Sequence, residues 1–563
     1  MTDVAASRSQ HTSALQSLVG SPATLWSSFA VLIIALAAYL LGDARQPVQV
    51  DEFYHVLAGR SWLTNGNFTI LDGSYTRGAA YTALAGVAFG IFDRSDLLVA
   101  RLPSILAAAL MVPLVFRWMA REATLFGAWL AALALCFSFT ALETAQFARF
   151  YSLQALFVWM GATAVYFGLG RAGSPDIWKL VAGALCLAIA YHLQDTTIIA
   201  ALGLGVFIAG DLLSREAVRR RLLDRRMRPW LILALVGAVL ITIVLTLKLG
   251  GKFRQTSYWA IGTRDDALFY IRHLAYRMPI LSGLLPLASL AAFIYRPRAT
   301  LFCLTMFLVP LALQSFAGMK NIRYVFYTFP FFFCLWGIAA AGVATVSSRA
   351  LAAAIGRRIA PGGGWRSPGL APAAATAALS ALAVVVVITS TEFTHTARDL
   401  VRDARASLRN PASITGEPPD GPWTGGAAQL RAAIGAPSLF VTAEDLHTMY
   451  YLGPFDLLLN RSRVSDLKPP VDFGRDFRTG RRVVGSGERL IAVTRCYPDG
   501  IVLIPNDRWR IWWAVPNDAA DAIEAFATPV RPGVPGFHLY RWRHEVSDPA
   551  CARIVNEVKG HAG

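Results

Sequence analysis

Eleven apolar stretches, most close to the twenty or so residues an α-helix needs to cross a hydrocarbon layer, dominate the first 390 residues of this 563-residue chain. They run 25–41, 97–116, 123–142, 152–170, 177–191, 196–213, 230–249, 278–295, 299–317, 324–346 and 370–390. Inside a bilayer the backbone must satisfy its own hydrogen bonds, so runs of this kind predict a polytopic α-helical membrane protein. Residues 1–24 read as a cytoplasmic tail: the first run comes too late, and is too poorly flanked, for a cleaved signal peptide. One more apolar run, 79–92, has only 14 residues, two of them glycine, and is short for a span.

Charge orders these runs across the membrane. Residues 1–390 hold 32 Lys/Arg against 16 Asp/Glu, whereas 391–563 hold 21 against 20. The basic excess thus belongs to the apolar part and reflects the positive-inside bias, which argues against a nucleic-acid partner. Seven arginines (215, 219, 220, 221, 225, 226 and 228) crowd the loop 214–229. That loop falls inside only if 79–92 does not cross. The other inside loops then hold Arg117, Arg121, Arg171, Lys179, Arg296, Arg298, Arg349, Arg357, Arg358 and Arg366. Run 79–92 becomes a surface helix within one long outer loop, 42–96, and everything after the eleventh span lies outside.

The membrane part is thus expected at 25–390, a linker at 391–425 whose stretch 405–422 is rich in Pro, Gly and Ser, and a soluble extracytoplasmic domain at 426–563. The last reads as a small α/β sheet, with strand-like runs at 438–442, 456–459, 481–484, 501–504 and 537–542 and helix-like runs between them. It has no Gly-x-Gly-x-x-Gly after its first strand, so it is not a nucleotide site. Of the six cysteines, only Cys496 and Cys551 lie on the exported side. They are a disulfide pair by count, or two separate thiols.

Ionisable groups at a membrane boundary are costly, and four clusters stand out. They are Asp51-Glu52 within Val50–His55, Arg77 in Tyr75–Gly78, Arg149 and Tyr151 in Glu143–Ser152, and Lys320, Arg323 and Tyr324 in Met319–Tyr324. Singly each has a plain explanation: a helix cap, a snorkelling arginine, an interfacial aromatic belt. The topology places all four on the outer face, where short loops should be poor in cations. Cations there suit a lipid phosphate, and a carboxylate suits proton removal from an incoming hydroxyl.

With the Ala148-Arg149-Phe150-Tyr151-Ser152-Leu153 run and the late Lys320-x-x-Arg323-Tyr324, this pattern resembles the family-39-type GT-C glycosyltransferases over roughly residues 25–346. That group includes protein O-mannosyltransferases and lipid A aminoarabinose transferases. The resemblance implies a GT-C-like fold of about eleven transmembrane helices with surface helices in the first outer loop. It implies a polyprenyl-phosphate-linked sugar donor, inversion at the anomeric carbon, and a periplasmic active site in a bacterial inner membrane. Asp51 then matches the catalytic base and Glu52 its acidic neighbour. Arg77 matches a donor-phosphate residue usually followed by proline, here Gly78. Arg149, Tyr151, Lys320, Arg323 and Tyr324 fall near the donor head, and His192 at the outer end of the fifth span is a further substrate contact. No cofactor is required, although a divalent cation at Asp51 and Glu52 is a second reading, since hard cations favour carboxylate oxygen. The acceptor is a glycan, lipid or protein. The rival classes are a flippase for lipid-linked saccharides, against which no internal repeat is found, and a membrane-anchored sensor, which needs no eleven spans.

Overall fold

The computed structural model describes residues 21–41, 46–170, 175–216, 260–358, scattered positions from 378 to 389, 393–409, 418–465, 473–531 and 533–559. The run 230–249, most of 370–390, the arginine loop beyond Glu216 and most of the N-terminal tail lie outside the described residues. The chain forms two compact units. One comprises 1–42, 104–146 and 150–410, the other 43–103, 147–149 and 411–563.

In the first unit, the helices Pro22–Leu41, Thr197–Ser214 and Pro297–Ser315 and the stretch Ile322–Ser347 are long and apolar enough to cross a bilayer, as is Leu97–Glu122, which leads into it. Leu125–Cys136 and Phe139–Ala145 add a span if the 58° bend between them is one broken helix. The break has a local cause: Ser138 is extended and its Oγ accepts from the Ala141 amide, starting a new helix where the first has ended. Shorter apolar helices cover Ile177–Leu193 and Leu285–Tyr295. Small residues bring helices together, since a Cβ on Gly127 would stand 2.6 Å from the Gly337 carbonyl oxygen.

Polar contacts tie the helix ends to one another. Arg298 and Arg215 both pair with buried Asp211, at 2.7 and 2.6 Å. Arg215 also donates to the carbonyls of Leu169 and Gly170, and Glu122 accepts from the Tyr166 hydroxyl at 2.9 Å. These join four loops expected on one face. From the other face, Gln154 donates to the hydroxyls of Thr196 and Thr197, and Tyr270 donates to the Asn321 carbonyl.

The second unit is built on a seven-stranded sheet. After the small hairpin β1 (Thr69–Ile70) and β2 (Gly73–Ser74), its strands are β3 (Phe440–Thr442), β4 (Leu457–Leu459), β5 (Phe473–Arg475), β6 (Arg482–Val484), β7 (Asp499–Pro505), β8 (Thr528–Pro529) and β9 (Phe537–Arg543). Their order is β5-β6-β4-β3-β7-β9-β8; β6, β4, β3 and β7 pair in parallel, and the pairs β5–β6, β7–β9 and β9–β8 are antiparallel. All five expected strands are present; β5 and β8 were not foreseen. The central strands are apolar on both faces, as parallel strands covered on two sides must be. In β7, Val502 and Ile504 join a core with the helices Gly487–Thr494 and Asn517–Phe526, whereas Ile501 and Leu503 join Phe53, Val56, Ala85 and Phe89.

Those last four residues belong to the helices Glu52–Asn65 and Ala79–Phe92. Residues 43–103, expected within a 25–390 membrane part, thus share a core with the C-terminal sheet. The expected linker 391–425 holds the helix Phe393–Arg409 and the start of Pro422–Ile434. Cys496 and Cys551 are joined by a disulfide, with Cα atoms 4.9 Å apart.

Candidate active site

The tandem acids open the helix Glu52–Asn65, with Asp51 at its N-cap. Their side chains part at once. Glu52 is fully buried: its Oε1 accepts from Arg101 Nε at 2.8 Å and from the Ala148 amide at 2.7 Å, and its Oε2 accepts from Arg101 Nη2 at 2.8 Å and the Gln49 amide at 3.0 Å. Four donors on one carboxylate compensate its loss of water and that of the equally buried Arg101. Glu52 therefore ties together the first outer segment, the head of the Leu97–Glu122 helix and the Phe147–Arg149 segment. Arg101 is not among the residues that the sequence pattern singles out. Its signal was present, because an arginine inside an apolar run must find an acid.

The Asp51 side chain is 30% exposed and lies 3.8 Å from a nearly buried Arg149. Arg149 Nη1 also donates to the Asp51 carbonyl at 3.2 Å and to the Tyr75 hydroxyl at 3.0 Å. Tyr75 stacks on Tyr54 at 4.7 Å and meets the edge of His55 at 5.3 Å. Burial, followed by the charges of Arg149 and Arg77, holds His55 well below the usual imidazole pKa, so the ring is neutral, and its Nδ1 lies 2.8 Å from Thr82 Oγ1. Arg77 is exposed on the same outer segment. The residue after it, Gly78, adopts φ +63°, a conformation closed to proline, so the departure from the family pattern has a backbone reason.

The remaining expected residues belong to the first unit. Tyr151 and Tyr324 have ring centroids 5.9 Å apart, and the Arg323 guanidinium lies 5.8 and 5.9 Å from those two rings. Lys320 is buried and donates to the carbonyls of Thr263 and Arg264 at 2.9 and 2.6 Å. His192 is exposed in the last turn of Ile177–Leu193, and no hydrogen bond or ring contact among the described residues joins it to the others. Of the expected set, then, Asp51, Glu52 and Arg149 are brought together in one unit, and Tyr151, Arg323 and Tyr324 in the other.

A carboxylate-pair cation site does not fit this geometry, since both Glu52 oxygens already accept from Arg101 and from backbone amides. Among the described residues no group of three or more His, Cys, Asp or Glu gathers at ligating distance.

No protein-family description matches the sequence, nor does any curated protein. Solved structures do. ArnT from Cupriavidus metallidurans bound to undecaprenyl phosphate matches with a TM-score of 0.59 at 12% identity, over 94% of this chain and 100% of that one. Its apo state matches at 0.58 and 14% over the same spans. The archaeal oligosaccharyltransferase AglB from Archaeoglobus fulgidus, in complex with an inhibitory peptide and a dolichol-phosphate, matches at 0.53 and 13% identity, over 94% of this chain and 75% of its own. Both carry the GT-C architecture of membrane glycosyltransferases that use polyprenyl-phosphate sugars, and this chain has the same fold.

Proposed function

We infer that this protein is a membrane glycosyltransferase that moves one sugar from a polyprenyl-phosphate donor to a hydroxyl on an extracytoplasmic glycan, lipid or protein. The observation that carries this reading is the division of labour between adjacent acids: Glu52 is buried against Arg101, whereas the Asp51 side chain is 30% exposed beside Arg149. In the reaction, Asp51 accepts the proton of the acceptor hydroxyl. The hydroxyl oxygen attacks the anomeric carbon from the face opposite the phosphate, the bond from that carbon to the phosphate oxygen breaks with its electron pair, and the configuration inverts.

The leaving group is a phosphate monoester whose growing charge needs cations. Arg77, exposed on the outer segment, and Arg323, held against Tyr151 and Tyr324, are assigned to it, with His192 as a further contact to the donor head. Lys320 keeps the segment around Thr263 and Arg264 in place. No step is routed through a metal. The likeness to ArnT with its undecaprenyl phosphate supports the donor class, and the basic loops support an inner-membrane enzyme with its chemistry on the periplasmic side. Transfer of radiolabelled sugar from a polyprenyl-phosphate donor in vesicles, measured with the unaltered chain and with Asp51→Asn, tests the reading: transfer unchanged by the substitution would sink it.

A further inference from the structure

The second unit holds a cavity of about 530 Å³ that the reaction above does not use. It is lined by Arg60, Arg94, Ser95, Asp96, Thr424, Ala427, Ala428, Arg431, Tyr450 and Tyr451. Three guanidiniums face one carboxylate, so the lining is positive by two charges. Each arginine is held by the fold rather than left to wave. Arg60 donates through Nε and Nη2 to the Ser95 carbonyl, and its Cζ lies 4.8 Å over the Tyr450 ring. Arg431 donates through Nε to the Tyr451 carbonyl at 2.8 Å. Arg94 donates to Asp96 at 2.7 Å, and Asp96 in turn accepts from the Val99 amide.

A carbonyl partner, as Arg60 and Arg431 have, orients a guanidinium without cancelling its charge, which is how a site for an anion is pre-organised. The two tyrosines add flat, amphipathic walls, and the hydroxyls of Ser95 and Thr424 add hydrogen-bonding groups of the kind a sugar needs. The volume falls within the range of small-molecule sites, roughly 300–1,000 Å³.

The cavity is also wired to the acidic helix. Phe53 and Arg60 stand seven residues apart on it, two turns along one face, about 10 Å by helical rise. Both meet Tyr450, Phe53 with ring centroids 4.7 Å apart and Arg60 through its guanidinium. Any ligand held against Arg60 and Tyr450 is therefore registered on the helix that Asp51 caps.

We propose that this cavity binds a saccharide bearing a phosphate or carboxylate group, as the anchoring part of the acceptor. The proposal rests on the glycosyltransferase reading for the word acceptor, and on the cavity alone for the anionic sugar.

The experiment is calorimetric titration of the full chain in phosphatidylcholine nanodiscs with glucose 6-phosphate, glucuronic acid, glucose and inorganic phosphate. At least one anionic sugar is expected to bind more tightly than both glucose and inorganic phosphate. Arg94→Gln removes a cation, and Ala428→Glu adds an anion at an exposed lining position without removing any side-chain hydrogen bond. Each should weaken that binding about tenfold or more, the scale of a charge-assisted contact, with unchanged thermal unfolding. Glucose binding equally well, inorganic phosphate binding as tightly, no binding at all, or both variants binding like the unaltered chain would overturn the proposal. Asp51→Asn separates the two claims. Retained sugar binding with lost transfer supports both. Retained transfer overturns the glycosyltransferase reading and leaves the cavity to be judged by its own variants.

Discussion

Asp51 and Glu52 are adjacent in the chain and differ by one methylene, yet their surroundings assign them opposite duties. Asp51→Asn keeps the shape and loses the proton acceptor, so transfer should fall on the order of 100- to 10,000-fold with thermal stability nearly unchanged. Glu52→Gln should show the reverse emphasis. It leaves Arg101 buried without its counter-charge, and breaking such a pair costs about 3–5 kcal/mol. Its melting temperature should fall, and Glu52→Gln combined with Arg101→Met should recover part of the loss. A Glu52→Gln chain as stable as the unaltered one would contradict the buried pair. Arg149→Lys is the third case. The guanidinium spreads its contacts over two nitrogens, Nη1 donating to the Asp51 carbonyl and the Tyr75 hydroxyl while Nη2 lies 3.8 Å from the Asp51 carboxylate, and one ammonium cannot hold all three, so kcat for transfer should drop with expression intact.

At the scale of elements, a buried charged cluster stands where β3 ends and underpins the acidic helix. His447 lies 3.4 Å from both Asp420 and Glu444, stacks on Trp423 at 5.3 Å and meets Phe53 edge-on at 4.8 Å. Burial works to lower its pKa, but the hydrogen bonds to Asp420 and Glu444 prevail and raise it to about 9. Burial likewise works to raise Glu444, while His447, Arg508 and Arg463 prevail and lower it to about 2. The raised histidine contributes stability that is complete below the unfolded-state value near 6.5 and lost as pH climbs through about 9. The lowered carboxylate contributes stability that is complete above an unfolded-state value near 4.5 and lost as pH falls toward 2. Unfolding followed by tryptophan fluorescence should therefore show a stability plateau from about 4.5 to 6.5, with a decline above it that His447→Gln removes. The disulfide belongs to this scale too. Closing 55 residues, Cys496–Cys551 should contribute up to about 4 kcal/mol, so the double serine variant should melt earlier while transfer at low temperature changes little.

For the molecule as a whole, the loop pattern predicts sidedness. In a chain otherwise freed of reactive thiols, a cysteine at Ser74 should react with an impermeant reagent from outside, and one at Ser214 only after the membrane is opened. Labelling of both from the same side would break the topology. Much of this architecture was legible in the sequence because its signals are local sums. Apolar length marks membrane helices, and apolar runs bounded by turn residues mark the β3, β4, β6, β7 and β9 strands, which need no knowledge of their partners. The short edge strands β5 and β8 were not legible, since two or three residues beside a longer strand carry no pattern of their own. Asp51 was legible as one of two tandem acids, but which of the two would be buried was not. That choice is made by Arg101, 49 residues onward, and by the Ala148 amide, both of which reach Glu52 only once the chain has folded. Nor could the sequence show that residues 43–103 would share their core with strands some four hundred residues later. Apolar residues announce that they will be buried, but burial is non-directional, and which surface covers Phe53 is decided only when the Glu52–Asn65 helix meets Tyr450, Tyr451 and His447.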